Sequence, residues 1–168
     1  MKKVILSVFV GALFGACQEN ESLSVDTTGN EVVYPLQEGS DYDVSGTVSI
    51  REKCDGSSIV VVTLTGTEGA TEHPVHLHLG NIGETGSDVA ALLNPVIGST
   101  GKSETQLRHL SDETEISYRQ LIDLNACIKV HLAATGPDSD IILAGGNIGA
   151  ASPDVEGGRA GVGVCKSE

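Results

Sequence analysis

An antiparallel all-β domain, a sandwich or a barrel, is the fold class this sequence predicts, on three observations. Short apolar or alternating runs recur along the chain and are rich in Val, Ile and Thr, the residues that pack best on a half-buried pleated surface. Gly, Asp, Asn and Ser bound these runs, and the 168 residues include 21 Gly but 5 Pro, a balance that points to many turns and not to low-complexity disorder. A single segment has helical spacing.

Residues 1–16 read as a lipoprotein signal peptide. Lys2 and Lys3 form a positive start, Val4 to Phe14 is an apolar run too short to span a bilayer as a stable helix, and Gly15 and Ala16 precede Cys17. The pattern resembles the bacterial lipoprotein signal, in which the cysteine is lipidated and becomes the first mature residue. A plain secretory signal cut after Ala16 is the alternative. Residues 17–30 are polar and acidic, with Glu19, Glu21 and Asp26, and read as a flexible tether. The resemblance implies an exported bacterial lipoprotein at the outer membrane or cell surface, held to the membrane through lipidated Cys17.

Residues 31–168 form the expected folded domain. Its predicted strands are Val44 to Ile50, Ile59 to Leu64, Val75 to Leu79, Val89 to Leu93, Ile128 to Ala133 and Ile141 to Ala144. DGSS at 55–58 separates the first two and reads as a hairpin turn, with Asp55 explained by turn chemistry. Ile116 to Leu124 is the helical segment, one or two turns long. Phe9, Phe14 and Met1 all lie in the first sixteen residues and the chain has no Trp, so the predicted core is built from Val, Ile, Leu and Ala. Cys54, Cys127 and Cys165 allow one disulfide in any of three pairings.

Composition excludes some functions. A formal net charge of −13 leaves no basic surface to neutralise phosphates, so no nucleic-acid partner is expected. No G-x-S-x-G elbow, P-loop or dinucleotide fingerprint is present.

The histidines carry the remaining chemistry. All five fall between residues 73 and 131. In HPVHLHLGN at 73–81, strand alternation puts Val75, Leu77 and Leu79 on one face and His76 and His78 on the other. In CIKVHLAA at 127–134, Ile128, Val130 and Leu132 point one way while Cys127, Lys129 and His131 point the other. If the two strands are neighbours, His76, His78 and His131 converge outside the core. Imidazole suits Cu, Zn and Ni. His73, beside Pro74, reads as a strand-entrance residue or a fourth ligand, and His109 as an exposed loop or strand-end residue. Cys127 lies about 13 Å from His131 along an extended strand, too far to share a metal with it.

HPVHLHLGN, ALLNPV at 91–96, TGKSETQLRHL at 100–110, ISYRQLIDLNACIKVHLAATG at 116–136 and ILAGGNIG at 142–149 together resemble a CHRD domain, named from repeats in chordin. CHRD domains in turn resemble copper/zinc superoxide dismutases. The resemblance implies an all-β, antiparallel Greek-key β-sandwich with one short helix, and copper as the cofactor of His76, His78 and His131. It also implies an anion-guiding role for Arg159 and a disulfide through Cys165. The expected function is a lipid-anchored, non-enzymatic binding or structural module of the cell envelope, carrying a histidine metal site and meeting an unidentified envelope or extracellular partner. The alternative is a copper-binding protein with superoxide dismutase-like redox activity.

Overall fold

The computed structural model describes residues 27–84 and 87–152. The signal peptide, Cys17, most of the tether, Arg159 and Cys165 lie outside the described residues. Among the described residues eight strands form, in chain order β1 (Thr27–Glu38), β2 (Ser45–Lys53), β3 (Ser58–Thr65), β4 (Glu72–Leu79), β5 (Val89–Ile97), β6 (Lys102–Leu107), β7 (Asn125–His131) and β8 (Ile142–Gly149). A helix α1 (Tyr118–Ile122) precedes β7, and a 3-10 turn over Pro137–Asp140 precedes β8.

The strands close into one antiparallel barrel in the order β1-β2-β3-β6-β5-β4-β7-β8. This corrects the expected sandwich, which would leave two separate sheets with open edges. Closure runs through two narrow seams. Gln37 and Glu38 of β1 pair with Gly145 and Ala144 of β8, and Ile97 of β5 pairs with Lys102 of β6. Without these few pairs the same strands would make two four-stranded sheets, which is why alternation alone could not tell the architectures apart. Closing the ring removes the exposed strand edges that favour aggregation.

Each of the six expected runs lies in or overlaps a strand, and two strands were not expected. β1 begins at Thr27, so residues 27–30 belong to a strand and not to the tether. β6, KSETQL, buries Leu107 alone and alternates only in half-exposed polar residues, so no apolar periodicity marks it.

The turn over 54–57 forms as its residues dictate. Ser57 donates its main-chain N–H and its hydroxyl to an Asp55 carboxylate oxygen, and Gly56 takes a positive φ of 82°. These Ser57 bonds, with Arg108 beside the carboxylate, hold Asp55 well below the usual carboxylate range. Helix α1 is short because it is held by its cap. Ser117 accepts the Gln120 N–H while the Gln120 side chain accepts the Ser117 N–H, a reciprocal capping box.

The core is aliphatic, with Val48, Ile50, Val62, Val75, Leu77, Ile128, Val130, Leu143 and Ile148 almost wholly buried. The expectation of a purely aliphatic interior needs one correction. Tyr34 is 1% exposed and Tyr118 6% exposed, so two phenols complete the packing. Tyr34 reaches the Gly149 main chain, and burial raises both hydroxyls above the ordinary tyrosine value. Cys54 is disulfide-bonded, and Cys127 is a free, buried thiol.

Candidate metal centre

β4 and β7 are hydrogen-bonded neighbours, with Val75 opposite Val130, His76 opposite Lys129, Leu77 opposite Ile128 and His78 opposite Cys127. Val75, Leu77, Ile128 and Val130 face the core. His76, His78, Lys129, Cys127 and His131 therefore share the outer face of the barrel wall. One residue departs from the expected alternation: Leu79 is 41% exposed, where the sequence places it in the core. The β4–β5 pairing shifts register between Leu77 and His78, and such an irregularity re-aims the residues that follow it.

His76, His78 and His131 come together. One ring nitrogen from each lies within 4.8 Å of the others. Ring centroids are 4.6 Å apart for His76 and His131, 5.9 Å for His76 and His78, and 6.4 Å for His78 and His131. A tetrahedral ion with bonds of about 2.1 Å would hold its ligand nitrogens about 3.4 Å apart. Small side-chain rotations close the difference.

Two of the rings are locked by main-chain carbonyls. His78 Nδ1 lies 3.0 Å from the Ser87 carbonyl oxygen, and His131 Nδ1 lies 2.8 Å from the Ser139 carbonyl oxygen in the 3-10 turn. A carbonyl can only accept, so each Nδ1 carries the hydrogen and each Nε2 of the neutral ring presents a lone pair. Both Nε2 atoms are buried and have no hydrogen-bond partner among the described residues. Buried polar atoms are rarely left in this state unless something else binds them. An imidazole whose far nitrogen donates to a carbonyl is also the usual form of a metal-bound histidine. The donor set fits a metal ion.

The surroundings of His76 and His78 disfavour their charged forms. Burial lowers the pKa of His76, and His131 and His78 lower it further. Burial likewise lowers that of His78, with Lys129 and His131 acting in the same sense and the Ser87 hydrogen bond opposing. A neutral imidazole is the form that ligates. His76 is half-buried, and across the β4–β5 pairing it faces Leu92, which is 68% exposed. The site thus opens toward an apolar rim on β5.

The remaining candidates stay apart from the cluster. His73 is buried on the opposite face of β4, its Nδ1 hydrogen-bonded to the Leu132 carbonyl oxygen at 3.2 Å, which corrects its reading as a fourth ligand. His109 is exposed and forms an isolated bridge to Glu115. Cys127 is fully buried, and its burial raises the thiol pKa. It is not among the clustered ligands.

Sequence reasoning missed the groups that orient His78 and His131. The Ser87 and Ser139 carbonyls are main-chain atoms of irregular segments, and no side-chain pattern marks such atoms. A scan against protein-family models and a search of curated proteins find no match to this chain.

Proposed function

We propose that this chain is a metal-binding barrel module that holds one first-row transition-metal ion, copper by preference, through His76, His78 and His131. The observation that carries the reading is the pair of buried Nε2 atoms on His78 and His131, each without a hydrogen-bond partner and each turned toward the cluster by a carbonyl on its Nδ1. Copper is the chosen ion because imidazole sites bind divalent first-row metals in an order that peaks at Cu²⁺. Three neutral imidazoles would hold it, and the ion would supply a redox-active centre in the outer wall of the barrel.

In the same reading the module acts in the cell envelope, anchored through lipidated Cys17 and presented to an envelope or extracellular partner. Lys2 and Lys3, the apolar run from Val4 to Phe14 and the cysteine itself support this. The resemblance of HPVHLHLGN and CIKVHLAA to CHRD-domain segments supports a binding module and not an enzyme.

Elemental analysis after copper loading and dialysis tests the site. The reading predicts one equivalent bound, retained against equimolar zinc and lost in the His76→Ala, His78→Ala double variant. No retained metal in the unaltered protein would refute it. Fatty-acid labelling of the expressed full chain, lost in Cys17→Ser, tests the anchor.

A further inference from the structure

The connection between β7 and β8, residues 132–141, folds so that the Ser139 carbonyl meets His131. Its two ends are held at the barrel wall. Leu132 donates its N–H to the Ile141 carbonyl at 2.9 Å, and the Leu132 carbonyl accepts from His73 Nδ1 at 3.2 Å. Between these ends, the 3-10 turn over Pro137–Asp140 buries no side chain, so core packing does not explain its shape. Pro137, Asp138 and Asp140 are exposed, and Ser139 alone of the four is half-buried. Its carbonyl oxygen lies 2.8 Å from His131 Nδ1.

Two residues of the connection set that carbonyl. Gly136 adopts φ 82° and ψ −169°, a combination essentially confined to glycine. A Cβ added there would meet nothing within 4 Å, so the requirement is conformational and not steric. Pro137 follows with the fixed φ that suits the first position of such a turn. Ser139 then grips the Gly136 carbonyl twice, donating its N–H at 3.2 Å and its hydroxyl at 2.7 Å. His78 is held elsewhere, by the Ser87 carbonyl.

We propose that Gly136 and Ser139 are positioning residues for His131: together they shape the turn that presents the Ser139 carbonyl to His131 Nδ1, and so keep Nε2 as the ring's ligand atom. The consequence for copper rests on the metal-binding reading, whereas the hydrogen bond itself exists without metal. Groups that orient a ligand from behind alter metal affinity by about 10–100-fold when removed, and these two residues act through the carbonyl that does so.

The test uses the full chain with Gly136→Ala, Ser139→Ala and Ser139→Thr, read by long-range ¹H–¹⁵N spectra of the imidazoles and by copper titration. In the metal-free protein at about pH 8, where an ordinary imidazole is neutral, both alanine variants are expected to lose the Nδ1–H signature of His131. His78 is expected to keep its own in each, which also shows that the barrel remains folded. Ser139→Thr, which retains the hydroxyl, is expected to restore His131. Copper affinity of Gly136→Ala is expected to fall by roughly ten-fold. An unchanged His131 signature in either alanine variant, or equal loss at His78 and His131, would overturn the proposal. If Gly136→Ala does not fold, the Ser139 pair decides it. Absence of copper binding in the unaltered protein would overturn the metal reading instead, and the metal-free spectra would still decide the roles of Gly136 and Ser139.

Discussion

The imidazoles of His76 and His131 lie 4.6 Å apart, centre to centre, on neighbouring strands β4 and β7. They are diagonal in the ladder, because His76 faces Lys129 and His131 stands two residues further along the same outer face. Diagonal pairs on one sheet face are within reach of long and aromatic side chains. The strand order makes this contact possible by placing β7 beside β4, although β5, β6 and α1 intervene in the chain.

Removing one of these rings should abolish tight metal binding and leave the barrel folded. His131→Ala is expected to lower copper affinity by more than about 100-fold, beyond what loss of an orienting group causes. Its effect on unfolding free energy should be within about 1 kcal/mol, because the ring lies on the outer wall and one of its nitrogens is unpartnered. Titration calorimetry and denaturant unfolding of the metal-free variant check the two halves.

Stability of the metal-free protein should fall with acid earlier than carboxylates alone would cause. Burial and neighbouring cationic groups lower the pKa of His76 and His78 in the folded state. The unfolded chain therefore takes up protons first as pH drops below about 6.5, and folding loses free energy until the folded rings also protonate. Their contribution is complete above that pH and is lost below it. Denaturant midpoints at pH 7.5 and 5 should differ less in His76→Gln, His78→Gln than in the unaltered protein. Bound metal should be released over the same acid range, since protons compete for the ligand nitrogens.

The closing strand should be as costly to damage as any central one. Leu36 of β1 is 1% exposed and packs in the common core. Leu36→Ala is expected to destabilise by about 2–5 kcal/mol through lost burial and the cavity left behind, read as a shift in the unfolding midpoint. A loss below about 1 kcal/mol would mean that β1 does not seal the barrel in solution.

Cys127 should be inert in the native state. Its side chain is fully buried and its thiol pKa is raised by burial, and both effects suppress the reactive thiolate. Peptide mapping after native alkylation should find Cys127 unmodified, with full modification after denaturation. Rapid native labelling would show that the barrel wall around Cys127 opens readily.

The sequence made the histidine cluster legible because alternation in HPVHLHL and CIKVHLA separates imidazoles from aliphatics without any need for the fold. It also marked the turn at Asp55 and the short helix, whose signals are local. β1 and β6 escaped for physical reasons. TTGNEVVYPLQE has no regular alternation, carries Pro35 and buries only Tyr34 and Leu36 fully, while KSETQL offers a single buried apolar side chain. Barrel closure escaped because it depends on a few main-chain pairs at two seams. The orientation of His78 escaped because it depends on the Ser87 carbonyl, a main-chain atom that no side-chain pattern marks.

X-ray absorption spectroscopy of the copper-loaded protein tests the ligand set most directly. Three imidazole nitrogens at about 2.0 Å, reduced in number in His131→Ala, are the expected result. A shell without imidazole scattering, or one unchanged by that substitution, would contradict the account and place the ion elsewhere on the chain.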